Sequence, residues 1–578
     1  MKSFKTCILL FAAIIVLIPT SQAATLPFHP DSPFHSFYAE SIEPYLNNLD
    51  RTQGNYVGIV DNGDLALQLR IHLIRNATQT IDIQTFIWAN DECGALVFKE
   101  ILDAAHRGVK VRLIIDHIAS LKDSTTIAYL TEASPNIEIK YYRPAAKRLK
   151  SSIPLLSLNA VIFAGSINQR MHNKMFIIDG AVGLTGGRNF DNHYYNRSTT
   201  YNFKDRDVYV LGPVLNDARA SFERYWDFNK SVSSDKLLDV VNKLDDENLR
   251  DESFFEDLAT DPMFDDLLVD IENNSLMHEQ FIDTLYPAKS TRFLADAPGK
   301  NKGLWLFRMW ASGKVTEDLK NVISTTEHEL IMQTPYVVVN RWARRTFKKI
   351  RKKSPDVRFV VSTNSFAATD NILAYSANYR LRSPYIKKLG FQIYEFMPHP
   401  EIMQEEFPEY ADMKKRAVQQ GKDRAPFFCV HSKSFVMDQR ISFIGTYNLD
   451  SRSFNLNSEE GFLIEDEAIA KALRATILRD CAPENSWVIA KQDQQEELGE
   501  VNRTIEGISR LLPIDLWPVR YTSSFQLRDG YEPVPPDHAE FYSRYEDIGQ
   551  FPGSDDFSGP EALTLFYKSF GKFMTPAL

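Results

Sequence analysis

The sequence MHNKMFIIDG at residues 171–180 and its counterpart HSKSFVMD at residues 431–438 decide the fold. In both copies a lysine follows the histidine by two residues, an aspartate follows it by seven, and an asparagine follows it by 17. A glycine also lies 14 residues after each histidine. One histidine before an apolar strand is usually structural, but two copies that share four spacings indicate a duplicated functional unit.

Each copy predicts a strand, a tight turn and a returning strand, because its apolar and β-branched residues favour extended structure. Residues two apart on a strand project from the same face. His172 and Lys174 should therefore point together, as should His431 and Lys433. Asp179 begins an Asp-Gly pair, which is typical of a hairpin turn. Each unit thus offers a histidine, a lysine and an asparagine amide to one small volume.

The duplication extends over most of the chain. Gln84 and Gln333 are 249 residues apart, and the two motif histidines are 259 apart. A near-constant offset indicates a repeated structural unit, and strands that alternate with helices favour an α/β class. We therefore predict two pseudo-symmetric halves, each a mixed β-sheet flanked by helices, packed face to face with one shared active site. The expected elements are strands at 81–88, 109–116 and 137–142 with a helix at 95–107, then strands at 330–336, 357–361 and 391–396 with a basic helix through Lys348.

The N-terminus has the pattern of a secretory signal. Lys2 and Lys5 precede a continuous apolar run at 8–18, and a small-residue cleavage site follows at 21–23. The run is shorter than the roughly 20 residues that span a bilayer. An uncleaved anchor is the alternative, and either reading predicts an exported protein, periplasmic or secreted and associated with a membrane.

The predicted organisation has six parts. They are a signal peptide or anchor at 1–23, an irregular proline-rich lead-in at 24–60, a first half at 61–230, an acidic helical connector at 231–300, a second half at 301–495 with an insertion at 399–425 that we interpret as a helical lid, and a C-terminal tail at 496–578.

Composition excludes some partners. The formal net charge of -10 argues against a protein whose main task is to bind nucleic acid, so no nucleic acid partner is expected.

Three cysteines remain after the predicted signal: Cys93, Cys429 and Cys481. They are widely spaced and lack a zinc-like pairing, and one disulfide between two of them is possible. Basic residues at 143–150 are followed by apolar residues at 153–163, which suits an anionic lipid surface, although a loop with a short buried strand explains them equally well.

Two such units can bind a tetrahedral phosphoryl group. The lysines supply positive charge, and the amides of Asn189 and Asn448 supply hydrogen bonds to its oxygens. Because imidazole has an ordinary pKa of about 6.5, one histidine can be neutral and attack phosphorus while the other is protonated and donates to the leaving oxygen. No metal is required, and no metal-ligand cluster is visible.

A nucleophilic histidine needs a carboxylate that holds its other nitrogen. Glu459 lies 28 residues after His431, and Asp207 lies 35 after His172. We predict each as the orienting partner of the histidine in its own half, with an ordinary turn carboxylate as the alternative.

The motif aspartates, Asp179 and Asp438, each close a strand end and are poorly placed to touch phosphorus. We count them with the catalytic motif because they belong to its spacing, and we assign them no chemical step.

The paired H-x-K-x4-D units resemble the HKD motifs of the phospholipase D superfamily. The flanking sequences are similar to those of bacterial cardiolipin synthases, most closely the class C type; these segments are 86–91, 170–174, 186–189, 205–208, 212–213, 444–448, 452–453 and 511–517. The resemblance covers about residues 55–518. It implies a metal-free phosphatidyltransferase that joins two phospholipids at a membrane surface, with His172 as the nucleophile and phosphatidylglycerol or phosphatidylethanolamine as substrate.

The sequence departs from this family in its secretion-type N-terminus, its acidic middle with the 399–425 insertion, and about 60 extra C-terminal residues. These departures leave the acceptor open. A secreted phospholipase D that hydrolyses its substrate is the main alternative, and a metal-independent nuclease or a lipid-binding protein with a relic site are lesser ones.

Overall fold

Two large β-sheets, one built mainly from each half of the chain, form the framework of the molecule. A computed structural model describes residues 26–46, 50–118, 120, 123–144, 147–150, 169–244, 261–300, 313–422, 424–492 and 521–553. The predicted signal at 1–23, the family-like segment at 511–517 and most of the basic and apolar stretch at 143–163 lie outside the described residues.

The strands repeat one arrangement twice. They are β1 (Asn55–Val60), β2 (Thr80–Thr85), β3 (Lys110–Asp116), β4 (Ile137–Tyr142), β5 (Met175–Ile178), β6 (Val182–Gly186), β7 (Tyr201–Lys204), β8 (Asp207–Leu211), β9 (Ser231–Ser233), β10 (Tyr286–Ala288), β11 (Ser290–Ala295), β12 (Glu329–Gln333), β13 (Arg358–Asn364), β14 (Phe391–Phe396), β15 (Phe427–Val430), β16 (Ser434–Met437), β17 (Ile441–Gly445), β18 (Glu460–Glu465), β19 (Ser486–Lys491), β20 (Thr522–Leu527) and β21 (Tyr545–Gly549). The first sheet has the order β10-β1-β8-β6-β5-β2-β3-β4-β9, and the second has β11-β18-β17-β16-β12-β13-β14-β19-β20-β21. The series from β1 to β9 therefore matches the series from β11 to β19, which confirms the two pseudo-symmetric halves.

Both sheets are mixed. In the first, β2, β3 and β4 run parallel while β5 is antiparallel to β2; β12, β13, β14 and β16 repeat this pattern. Parallel neighbours require crossover connections, which helices supply.

The described helices are α1 (Pro33–Phe37), α2 (Gly63–Asn76), α3 (Glu92–His106), α4 (Ser124–Ala133), α5 (Leu215–Trp226), α6 (Leu238–Leu244), α7 (Asp265–Glu272), α8 (Asn274–Met277), α9 (Lys314–Ile323), α10 (Arg341–Lys353), α11 (Ile372–Pro384), α12 (Met403–Glu406), α13 (Tyr410–Gln419), α14 (Ser451–Asn455), α15 (Glu467–Asp480) and α16 (Phe541–Arg544). Side-chain caps fix where the crossover helices begin. Asp91 accepts from Gly94 N at the start of α3, and Asn340 accepts from Trp342 N and Ala343 N at the start of α10.

The predicted hairpins are present in both halves. β5 pairs with β6, and β16 pairs with β17. The turn residues Asp179 and Gly180 have φ of 51° and 63°, and Asp438 and Gln439 have φ of 50° and 53°. Two successive left-handed residues match the twist of a two-residue hairpin. The strands begin one residue after each motif lysine, so the histidines lie just ahead of them.

The two sheets pack face to face over a shared apolar core. Ile177 and Val208 of the first half lie in one buried cluster with Val436 and Phe462 of the second. Helices α5 and α15 contribute to the same cluster, and each sheet has a further apolar core on its outer face. Burial of both faces explains why the central strands are almost entirely apolar.

Three regions differ from the sequence-based prediction. Strand β1 lies within the lead-in at 24–60, where the prolines had suggested irregular structure. The connector at 231–300 contains helices but also β9, β10 and β11, which extend the sheets at their edges. The described part of the tail adds β20 and β21 beside β19. Within the described residues, no helix combines the length and the apolar character needed to cross a bilayer.

Candidate active site

Short stretches of parallel backbone cross between the halves and bring the two motifs together. β7 of the first half pairs with β15 of the second, with Lys204 opposite Val430. The equivalent contact is a bridge between Met171 and Ser458. Each pairing ends one residue before a motif histidine. The backbone N–H of each histidine continues it by donating across the interface, to Ser458 O at 3.0 Å in the first motif and to Lys204 O at 2.8 Å in the second.

This pairing exchanges carboxylates between the halves. His172 Nδ1 lies 2.9 Å from Glu459 Oε2 of the second half. His431 Nδ1 lies 2.6 Å from Asp205 Oδ2 of the first half. Because Nδ1 faces a carboxylate in both rings, Nε2 is the nitrogen left without a hydrogen bond to the described residues.

The sequence-based assignment of Asp207 was therefore wrong, as was the pairing of Glu459 with His431. Asp207 begins β8, where its carboxylate forms ion pairs with Arg70 at 2.8 Å and Arg188 at 3.3 Å. The register of β7 against β15 instead places Asp205 beside the second histidine. Spacing within one half could not reveal this, because the orienting group comes from the other half.

Both imidazoles are buried, with 7% of each residue exposed. Burial lowers the pKa of His172, with Glu459 opposing the shift and the charge of Lys174 adding to it. Burial and the charge of Lys433 lower the pKa of His431 to about 4. With no anion bound, both rings are therefore neutral near pH 7, which is the state a nucleophile or a general base needs.

The lysines lie directly behind the histidines and are not among the residues that line the cavity. Lys174 Nζ donates to His172 O at 2.9 Å, and Lys433 Nζ contacts His431 O and lies 2.8 Å from His431 Nδ1. Burial and the charge of Lys433 lower the pKa of Lys174 to about 7, and burial lowers that of Lys433 to about 8. Lys433 thus affects groups of the first motif, so the two units share one electrostatic environment.

The carboxylates keep their negative charge. Burial opposes ionisation of Asp205, but the charges of His431 and Lys433 hold its pKa well below its ordinary value. Burial likewise acts against Glu459, but the charge and hydrogen bond of His172 keep its pKa lowered. Two buried anions beside two buried lysines leave the cluster close to neutral while the rings are uncharged.

The two asparagines differ in how free their amides are. Asn189 Oδ1 accepts from Ile87 N at 3.0 Å, and its Nδ2 donates to the Tyr194 hydroxyl at 2.8 Å. Asn448 Oδ1 is buried and has no hydrogen-bond partner among the described residues. Both line the same cavity. The amide of Asn189 is therefore engaged in holding the loop, whereas that of Asn448 remains available to a ligand.

The motif aspartates lie at the strand ends, away from this cavity. Asp179 accepts from four backbone N–H groups, at residues 28, 78, 79 and 80. Asp438 accepts from three, at residues 327, 328 and 329. Each carboxylate ties its hairpin turn to the segment that precedes the first parallel strand of the sheet.

A cavity of about 570 Å³ opens above the histidines and is lined by both halves. His172 and His431 both line it. Its wall combines apolar and aromatic side chains with a few charged groups; these include Phe86, Ile118, Tyr201, Phe203, Val338 and Ala374 on the apolar side, and Arg170, Asp191, His193, Asp370, Asp450 and Arg452 on the charged side. Such a site suits a ligand with an apolar body and a polar, phosphate-bearing end.

Sequence reasoning missed several of these wall residues. Asp191 accepts from His193 Nδ1 at 2.5 Å, and Asp370 accepts from the Tyr336 hydroxyl at 2.8 Å. The sequence did contain a signal for two wall residues, Asp191 and Asp450, because each lies two residues after a motif asparagine.

The described residues contain no cluster of three or more His, Cys, Asp or Glu side chains arranged to hold a metal. Cys93, Cys429 and Cys481 are buried thiols, and no disulfide joins them.

Comparison with known proteins gives one consistent group. Residues 70–226 and 319–481 match the family described as cardiolipin synthase, PLD-like domain. The chain is 31% identical over 414 residues to cardiolipin synthase C of Escherichia coli (strain K12), covering 71% of this chain and 81% of that protein. It is 22% identical over 476 residues to a cardiolipin synthase of Staphylococcus aureus (strain N315), covering 81% and 75%. The crystal structure of phosphatidylserine synthase from Haemophilus influenzae Rd KW20 aligns with a TM-score of 0.49 and 15% identity, over 84% of this chain and 95% of that one.

Proposed function

The chain belongs to the phospholipase D superfamily, in the family of cardiolipin synthase, PLD-like domains, and from this premise we propose that it is a phosphatidyltransferase that joins two phospholipids. The observation that carries the proposal is the pair of histidines from opposite halves lining one cavity, each held at Nδ1 by a carboxylate of the other half. The phospholipid is phosphatidylglycerol or phosphatidylethanolamine, bound at a membrane surface.

In the first step, Nε2 of one neutral imidazole attacks the phosphorus of the lipid phosphodiester. The family resemblance implies His172 for this role. The P–N bond forms as the bond between phosphorus and the headgroup oxygen breaks, and the other histidine gives its proton to that oxygen. The products are a phosphatidyl-histidine and the free headgroup alcohol.

In the second step, the histidine that lost its proton takes one from the hydroxyl of the incoming lipid. The hydroxyl oxygen attacks phosphorus, the P–N bond breaks, and both imidazoles return to their starting states. Lys174 and Lys433 add positive charge behind the rings, and the unpaired amide oxygen of Asn448 accepts a hydrogen bond from the substrate. With water in place of the lipid hydroxyl, the same steps give phosphatidic acid.

Protonation of the acid histidine depends on the substrate. In the empty site His431 has a pKa of about 4. A bound phosphodiester brings a negative charge next to the ring, which favours its protonated form. The acid histidine can therefore donate a proton to the leaving oxygen once the phosphodiester is bound.

The test is a product analysis with headgroup-labelled and acyl-labelled phosphatidylglycerol, alone and with phosphatidylethanolamine. We expect a lipid with two phosphatidyl groups together with released headgroup alcohol, and no product from His172→Ala. Phosphatidic acid as the sole lipid product would reject transfer in favour of hydrolysis. Cleavage of duplex DNA in EDTA without any lipid product would reject both.

We also propose that the protein is exported, periplasmic or secreted, and associated with a membrane. The support is the positively charged and apolar pattern at 1–23. N-terminal sequencing of the protein recovered from cell fractions tests this, and an intact Met1 on a protein found only in the cytoplasm would overturn it.

A further inference from the structure

The outer face of crossover helix α10 carries a dense set of cations in this acidic chain. Its sequence, RWARRTFKKIRKK, has eight basic residues among 13 and no acidic one. Thr346, Phe347 and Ile350 are buried against the second sheet. The opposite face is exposed; its cations are Arg341, Arg345, Lys348, Lys349, Lys352 and Lys353.

Most of these cations have no acidic neighbour. Among the described residues, Lys353 pairs with Glu327 at 2.7 Å, whereas Arg345, Lys348, Lys349 and Lys352 form no ion pair. Lysines on a merely solvated helix usually alternate with carboxylates at positions three or four residues away. Here the like charges are adjacent, which costs free energy unless an anionic partner compensates.

The corresponding helix of the first half shows that this face is not required by the fold. α3 follows the first strand of its parallel set as α10 does in the second half. Its outer side is covered by α2, and Arg75 of α2 pairs with Glu100 of α3 at 2.6 Å. Among the described residues, no element covers the cationic face of α10 in the same way, and its cations remain exposed.

The position of α10 relates it to the active-site cavity. Tyr336 and Val338 line the cavity, and α10 begins at Arg341. Trp342, in its first turn, packs against Phe454 at 5.1 Å, next to the cavity residue Arg452. From this end the helix extends about 20 Å along the surface.

We propose that the exposed face of α10 is the surface that docks the protein on an anionic phospholipid bilayer. The inference rests on the proposed function for the nature of the surface, since the substrate is itself a bilayer lipid. An amphipathic helix with basic residues outside and an aromatic residue at its end has the composition of an interfacial element. A duplex nucleic acid is the less favoured partner, because the neighbouring cavity is lined largely by apolar and aromatic side chains, which suit a lipid.

The experiment compares vesicle binding of two triple variants in the full-length His172→Ala protein, which binds without turnover. One removes the cluster by Lys348→Gln, Lys349→Gln and Lys352→Gln. The matched control removes three scattered exposed lysines by Lys236→Gln, Lys289→Gln and Lys491→Gln, with the same change of charge. Co-sedimentation uses phosphatidylcholine vesicles with and without phosphatidylglycerol.

Each basic residue near an anionic bilayer contributes a factor of roughly five to the partition constant, so we expect the cluster variant to lose about 100-fold in binding. The control should retain most of its binding, and salt should weaken the parent more than the cluster variant. Equal losses in the two variants, or unchanged binding of the cluster variant, would overturn the proposal. Loss of duplex DNA binding, or of self-association, with vesicle binding intact would overturn it in favour of that other partner.

Failure of the proposed function would be seen separately. With His172 restored, the cluster variant should turn over phosphatidylglycerol dispersed in detergent micelles at the parent rate. If the parent has no phosphatidyltransferase or hydrolase activity in micelles but the cluster variant still loses vesicle binding, the function is wrong and the docking surface stands.

Discussion

The surroundings of the two motif histidines differ although their backbones match. In the first motif the facing carboxylate, Glu459, also accepts from Thr446 Oγ1 at 2.5 Å and Ser453 Oγ at 2.7 Å. The ammonium group of Lys174 donates to the backbone oxygen of His172 and lies 5.4 Å from the centre of the Phe86 ring. In the second motif the lysine reaches the ring of His431 itself.

Thr446 and its counterpart in the first half explain why the surroundings of the two motif histidines differ. Its counterpart in the first half is Gly187, where an added Cβ would lie 2.2 Å from Asp205 Oδ1. The aspartate therefore occupies the space that a hydroxyl occupies in the second half. A shorter carboxylate close to a glycine holds His431, and a longer one braced by two hydroxyls holds His172. The duplicated units are therefore unequal partners around one cavity.

The largest expected effect tests whether both partners are needed. His172→Ala and His431→Ala should each reduce kcat by at least about 10³-fold, since one removes the nucleophile and the other the acid and base. The double variant should be no slower than the slower single one, because the two act as a unit. Steady-state kinetics with defined phospholipid substrates measure this. A single variant with near-normal turnover would show that the halves do not share a site.

The next effect tests the exchange of carboxylates. Asp205→Asn should lower kcat by roughly 10²–10⁴-fold, because the amide cannot hold and stabilise the imidazolium of His431 as the carboxylate does. Asp207→Asn is its matched control, two residues away. It removes the partner of two buried arginines and should destabilise the fold by about 3–5 kcal/mol while leaving kcat of the folded enzyme nearly unchanged. Similar kcat values for the two variants would contradict the exchange.

The pH dependence compares the two lysines. A lysine is charged below its pKa, so kcat/KM should be high at lower pH and fall as pH rises through about 7 for Lys174 and about 8 for Lys433. Lys174→Arg keeps its charge at all relevant pH values. In the Lys174→Arg variant, the descending limb of the profile of kcat/KM against pH should therefore move up to about pH 8, the pKa of Lys433. In the Lys433→Arg variant, the limb should stay near pH 7. We expect a loss of at least about tenfold in kcat/KM across the limb.

The control for this comparison is the ascending limb of the same pH profile. This limb reflects deprotonation of the histidines, so its position should be the same in both arginine variants. A descending limb that remains fixed in both would show that the lysines do not set it.

Much of the fold and of the candidate active site could be predicted from the sequence. The part that could not be predicted depends on contacts between the two halves. Hairpins, parallel strands and the shared histidine site follow from local spacing and from the repeat, so they were predicted. The carboxylate that faces His431 follows from the register between β7 and β15, which neither half encodes alone. The choice of Asp207 over Asp205 failed for that reason. Asn189 was predicted as a phosphate ligand, but its Nδ2, the group that would donate to a phosphate, donates to the Tyr194 hydroxyl.

The smallest effect concerns the motif aspartates, and it separates stability from chemistry. Asp179→Ala removes an acceptor for four backbone N–H groups, and Asp438→Ala removes one for three. Asp179 also accepts from Thr78 Oγ1 at 3.0 Å. At about 1 kcal/mol for each hydrogen bond, the first variant should be less stable than the second by about 2 kcal/mol. Melting temperatures of the two variants should follow that order.

The same variants bear on why these aspartates belong to the motif at all. Each ties the turn of its hairpin to the backbone ahead of β2 or β12, so its side chain fixes where the strand after the histidine ends. Because this is a structural role, kcat measured well below the melting temperature should stay close to the parent value. A loss of kcat as large as that of Asp205→Asn in a well-folded Asp438→Ala protein would show that the strand end takes part in the chemistry. A larger loss of stability in the second half than in the first would show that the hydrogen-bond count does not govern the difference between the two hairpins.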